Sequence, residues 1–215
     1  MTSKSFLRSI VLILLITSIV SSCRTKNQAV VDAPTHSDLT ESCYTIESFS
    51  VPSCRLEISG SNIQSISLNG SIFVIPDSVF YFRGRLLIDV VRGAIYRDSF
   101  VVVNFLERTV YKGKNSFLQN MVGFPVNPKS LLILMTDDNC GVKYLNLDQN
   151  RHPFRITYNE YKQYEQFELP TLLNISVSDG GNSLRIRADL RQIELNTHVL
   201  ANVTAPPNYR VVVLE

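Results

Sequence analysis

The sequence predicts a mainly β domain: a curved antiparallel sheet, a half-barrel of about nine to eleven short strands, with a small α-helical insert as a lid. Three observations carry this expectation. Apolar and polar residues alternate along successive segments, as Ile66, Leu68, Ile72 and Val74 do against Ser65, Ser67, Asn69 and Ser71. The connections are short and built from Gly, Pro, Asp and Asn, so strands adjacent in sequence pair antiparallel. One stretch, 115–137, abandons the alternation for helical spacing. A long sheet with one apolar face curls around that face. The insert then lies across the open side and encloses an apolar pocket.

The elements follow in order. Strand patterning begins near Cys54, and Gly70 suggests a bend within the first clear strand. Pro76-Asp77 turns the chain into Ser78–Phe82, and Gly84 turns it again into Leu86–Tyr96. Arg97-Asp98 and Glu107-Arg108 bound Phe100–Val103 and lead into Thr109–Tyr111. Helices are expected over Asn115–Gly123 and Asn127–Asp137. Asn127 can cap the second helix, and Pro128 suits its first position. Apolar stripes there comprise Phe117, Leu118, Met121 and Val122, then Leu131, Leu132, Leu134 and Met135. Strands return at Val142–Leu147, Phe154–Tyr158 and Tyr161–Phe167. The clearest hairpin sets Leu173, Ile175 and Val177 beside Leu184, Ile186, Ala188 and Leu190, across the turn Asp179-Gly180-Gly181-Asn182. The other face of the final strand is Arg185, Arg187, Asp189 and Arg191, so its apolar face must be the buried one.

The chain opens with Lys4 and Arg8, an apolar run from Ile10 to Ile16, small residues and then Cys23, which is the layout of a secretory signal. The run is too short to span a bilayer comfortably, which takes about 20 residues. Val20-Ser21-Ser22-Cys23 resembles the lipobox of bacterial lipoproteins. The resemblance implies that Cys23 is acylated and becomes the first residue of the mature chain, a stable membrane anchor when it carries several acyl chains. Arg24 stands where that family's usual inner-membrane retention signal is Asp, and no acidic run follows. The resemblance therefore implies the outer membrane, facing the periplasm. Residues 1–22 are expected to be the signal, 23–45 a lipidated flexible tether, and 46–215 the folded domain.

Of the 215 residues, 21 are Lys or Arg and 19 are Asp or Glu, and Lys4 and Arg8 account for the whole excess. The body is neutral, which argues against nucleic acid as a partner. Cys43 and Cys54 are the nearer pair for a disulfide beside Cys140, with free buried thiols the alternative. There is no C-x-x-C, and His36, His152 and His198 lack metal-ligand spacing, so no metal and no cofactor is expected. Asp137-Asp138-Asn139 with Gly141 lacks the closing Glu of a calcium loop. No nucleophile elbow or phosphate loop is present, and no enzyme is expected. Tyr158, Glu160, Tyr161, Tyr164, Glu165 and Glu168 form a patch suited to sugars or a protein partner, or simply a solvated strand face. Met121 and its neighbours suit a pliable pocket mouth or ordinary core.

The segment Leu87-Ile88-Asp89-Val90-Val91-Arg92-Gly93-Ala94, then Arg97 through Asn104, Val110-Tyr111-Lys112-Gly113 and Phe117-Leu118-Gln119, resembles an uncharacterised family of bacterial lipoproteins related to the lipoprotein carriers LolA and LolB. Leu169-Pro170 and Pro206-Pro207-Asn208-Tyr209 match more loosely. The resemblance implies a LolB-like half-barrel whose cavity holds an acyl or lipid ligand, with no catalytic residue. The candidate cavity residues are Ile66, Leu68, Ile72, Leu131, Leu134, Met135, Ile175, Val177, Leu184 and Ile186. Phe105-Leu106 is a candidate for an exposed apolar loop that touches a membrane, against a half-buried hairpin corner. The alternative function is a structural lipoprotein that docks an envelope protein complex.

Overall fold

The computed structural model describes residues 46–61, 63–137, 154–179, 182–197 and 203–215. Ten strands form one sheet: β1 (Phe49–Gly60), β2 (Ile63–Ile75), β3 (Val79–Arg85), β4 (Asp89–Tyr96), β5 (Ser99–Asn104), β6 (Thr109–Lys114), β7 (Phe154–Tyr164), β8 (Phe167–Asp179), β9 (Asn182–Leu195) and β10 (Arg210–Leu214). Two short helices, α1 (Asn115–Val122) and α2 (Pro128–Thr136), lie between β6 and β7. The strand order is β10-β6-β5-β4-β3-β2-β1-β9-β8-β7. The fold is thus the mainly β, open, curved sheet with a helical insert that the alternation predicts.

One pairing departs from the expected all-antiparallel sheet. β10 runs parallel to β6, from Arg210 opposite Thr109 to Leu214 opposite Gly113. The end of β9 lies beside the start of β1, at the opposite end of the sheet from Thr109. The chain must therefore traverse the sheet before Arg210 N–H bonds to Arg108 O at 2.9 Å. A traverse of that kind delivers the next strand in the parallel sense.

Gly84 is not a turn. It lies within β3, opposite Gly70 of β2. A Cβ on Gly84 would meet Val91 Cγ1 at 2.9 Å, and one on Gly70 would meet Cys54 Sγ at 2.8 Å. The two glycines permit close approach on the inside of the curve. The turn comes later, at Leu86–Ile88, so the expected strand Leu86–Tyr96 begins at Asp89 instead. The strand expected at Phe154–Tyr158 continues into β7, with Glu160 at φ 56° marking an irregularity, and the one expected at Tyr161–Phe167 is cut at Tyr164 by a turn with Glu165 at φ 52°, so Phe167 opens β8. The strand expected at Val142–Leu147 lies outside the described residues.

The helices fill one end of the concave face. Asn127 caps α2, its Oδ1 accepting from Ser130 N at 2.9 Å, with Pro128 at the first position. Leu132, Ile133, Leu134 and Met135 are all buried, and α2 packs on β2, β3 and β8. Ile133 rather than Leu131 completes the buried set, because the helix is covered on nearly every side. Nine residues of helix do not persist alone in water. Burying four aliphatic side chains, each contributing about 1.5–3 kcal/mol, holds α2 in place. Asn115 ties the start of α1 to the β4–β5 turn, its Nδ2 donating to Tyr96 O at 2.8 Å and Arg97 O at 3.1 Å.

Candidate functional site

Strand register places the inward side chains in rows across the sheet. Ile66 lies opposite Ile58, Ile58 opposite Ile186, Ile186 opposite Ile175, and Ile175 opposite Ile156. This is an unbroken row of isoleucines on β2, β1, β9, β8 and β7. The next row, one pleat nearer α2, is Leu68, Leu56, Ala188, Leu173 and Tyr158. On the other side, Val177 faces Leu184 and Phe154. β-branched residues suit these positions because they pack on a pleated surface.

Burial changes along this wall. Toward α2 it is filled: Cys54, Leu190, Leu169, Val74 and Phe49 are buried. Away from α2, Ile58, Ile66, Ile175, Val177, Leu184 and Ile186 are only partly covered. Of the cavity residues expected from sequence, Leu68, Leu134 and Met135 therefore sit in the filled core. Ile66, Ile72, Leu131, Ile175, Val177, Leu184 and Ile186 are partly exposed. The sheet unites Ile66, Ile175, Val177, Leu184 and Ile186 at one end, while Leu131 belongs to the helix.

The opposite face is polar, as the alternation in β9 requires. Arg191 pairs with Asp189 at 3.5 Å and Arg55 with Glu57 at 3.3 Å. Arg155, Arg185 and Arg187 line a recess of about 330 Å³ with Glu57 and several Ser, Thr and Asn side chains. A second recess of about 220 Å³ lies among Arg55, Glu57, Arg187, Asp189 and Arg191. The first also takes in Ile175 and Ile186, whereas the second is lined by charged side chains alone.

The β3–β4 turn stands at the same end of the sheet as the open wall, because β3 enters it antiparallel to β2. Leu87 is fully exposed there, between Leu86 at 53% and Ile88 at 68% exposure. In the neighbouring β5–β6 turn Leu106 is 51% exposed, whereas Phe105 is partly covered by Tyr209 and by the Arg92 guanidinium. The apolar turn the sequence reading missed is therefore Leu86–Ile88. Its three consecutive aliphatics suggested strand; the signal against strand was Asp89, which two arginines hold. Arg83 Nε bonds Asp89 at 2.6 Å, and Arg92 bonds its other oxygen. Partial burial pushes the Asp89 carboxyl up, but the two guanidinium hydrogen bonds outweigh it and hold it below the ordinary carboxylate value.

The Tyr/Glu-rich patch divides. Glu160, Tyr161, Glu165 and Glu168 are exposed, but Tyr158 turns to the concave wall. Tyr161 Oη donates to Asp137 at the end of α2. Burial first, then the Asp137 bond and charge, push the Tyr161 phenol up to about 12. Tyr158 Oη is buried without a hydrogen-bond partner among the described residues. Met121 on α1 is partly exposed. Cys54 carries a free buried thiol, pushed up to about 11, chiefly by burial. Cys23, Cys43, Cys140 and the three histidines lie outside the described residues.

No family model matches the chain, and no curated protein matches it at a significant level. Among solved structures, a DUF1329 family protein from Desulfovibrio piger aligns over 73% of this chain and 88% of its own, with 8% identity and a TM-score of 0.45. A Vibrio parahaemolyticus domain, named for outer membrane lipoprotein sorting, aligns over 71% of this chain and 86% of its own, with 8% identity and a TM-score of 0.42.

Proposed function

We propose that the protein binds the acyl chain of a lipid or lipoprotein along its open concave wall, without bond chemistry, from an anchor at acylated Cys23 on the periplasmic side of the outer membrane. The observation that carries this reading is the isoleucine row. An apolar strip left partly uncovered on β2, β1, β9 and β8, and running into buried Ile156 on β7, is expensive in water and favourable against hydrocarbon. Adjacent strands lie about 4.8 Å apart, so the uncovered part of the row measures about 14 Å, room for much of an acyl chain. The exposed Leu86–Ile88 turn at the same end would rest in a lipid surface while the chain is handed over. Shielding hydrocarbon from water needs area, not a nucleophile.

The test uses soluble Cys23→Ser protein. The reading expects co-purifying lipid detectable by mass spectrometry after extraction, and saturable binding of a fluorescent acyl probe. Lipid-free protein that ignores the probe would overturn it.

A second reading has its own observation. The wall is filled beneath α2, and the opposite face gathers Arg55, Arg155, Arg185, Arg187 and Arg191 around Glu57 and Asp189. That face suits an acidic surface of an envelope protein. Loss of partner capture on Arg185→Glu, with acyl binding absent, would favour this reading.

A further inference from the structure

Tyr158 ends the second row of the wall, on β7, beside Leu173 and one pleat from Ile156. Its neighbours in that row are hydrocarbon, yet its Oη is shut from solvent and has no hydrogen-bond partner among the described residues. Leaving a buried hydroxyl unpaired is destabilising, so such a group calls for an explanation. Close by is the Asp137 carboxylate, already accepting from Tyr161.

We propose that the Tyr158 hydroxyl donates a hydrogen bond to the carbonyl of an acyl ester or amide, and that Asp137 makes the site prefer such neutral head groups to a free fatty-acid anion. This rests on the acyl-binding reading and names its ligand class. The hydrocarbon tail then runs from Tyr158 along the isoleucine row toward β2. A phenol can supply the donor that a carbonyl lacks, and the carbonyl is the acceptor that the phenol lacks. A carboxylate ligand could accept the same bond, but it would bring a second negative charge beside Asp137, and like charges that close repel. Burial, then the charge of Asp137, raise the Tyr158 phenol well above its ordinary value, so it stays a neutral donor at any physiological pH.

The experiment compares three probes on soluble Cys23→Ser protein near pH 7.5: a fluorescent long-chain methyl ester, the matching free acid, and a pyrene-labelled alkane without a carbonyl. The ester should bind about tenfold tighter than the acid. Tyr158→Phe should weaken ester binding about fivefold to tenfold, the loss of one neutral hydrogen bond, and leave the alkane unchanged. Asp137→Asn, tolerated at a left-handed position, should narrow the ester-to-acid ratio. Equal ester affinity in Tyr158→Phe would overturn the head-group contact, and water would then be what satisfies the hydroxyl. An unchanged ratio in Asp137→Asn would overturn the selectivity even if Tyr158→Phe did not fold. Failure of all three probes on the parent protein, the alkane included, would instead sink the acyl-binding reading and the inference with it.

Discussion

Phe82 on β3 covers Gly93 on β4, directly opposite it: a Cβ at Gly93 would stand 2.3 Å from Phe82 Cζ. The ring takes the space a side chain would fill, on the inside of the curve. Gly93→Ala should therefore cost about 1–3 kcal/mol through overpacking, a fall of several degrees in Tm by calorimetry. Phe82→Leu in the same chain should recover part of the loss. A Gly93→Ala protein as stable as the parent would show that the sheet flexes freely there.

Leu87 and Leu134 are both leucines with opposite expected behaviour. Leu87 is fully exposed, so Leu87→Asp should leave Tm within a degree or so while reducing binding to phosphatidylethanolamine–phosphatidylglycerol vesicles in a flotation assay. Leu134 is buried in the core, so Leu134→Ala should cost about 2–5 kcal/mol. Unaltered flotation of Leu87→Asp would remove the membrane role of the turn.

Acid should weaken the base of that turn. The Asp89 carboxyl is held below its ordinary value in the folded protein, so its contribution is present above the unfolded value of about 3.9 and is lost as pH falls through the lower folded value. Denaturant titrations should show Asp89→Asn less stable than the parent at neutral pH, with the gap closing in strong acid. A gap that is constant with pH would mean that the Arg83 and Arg92 bonds add nothing through charge.

Much of this was legible in the sequence because the signals were local. The β8–β9 hairpin declares its faces by strict alternation, and Asn127-Pro128 marks where α2 begins. Long-range effects were not legible. Gly84 reads as a turn until Gly70 and Val91 are brought against it, and Leu86–Ile88 reads as strand until Arg83 and Arg92 fix Asp89. The parallel sense of β10 depends on where the chain crosses the sheet, which no residue in Val211–Leu214 encodes. Alternation correctly gave the inward face of β8 and β9, but not how far α2 would cover it. Hence Leu68 and Ile66, two residues apart on one face, differ in coverage. Tyr158 reads with its surface neighbours in composition, although it shares a face with Phe154 and Ile156 by the same period of two.

The central claim is that one face of this sheet, and not the other, takes hydrocarbon. Ile186 and Arg187 are consecutive residues of β9 on opposite faces, so fluorescent acyl-ester binding to Ile186→Glu and Arg187→Glu tests it most directly. The account predicts a loss of at least about tenfold in Ile186→Glu, from burying a charge against the ligand, and unchanged affinity in Arg187→Glu, with both proteins folded by circular dichroism. Equal affinities, or a loss confined to Arg187→Glu, would contradict it.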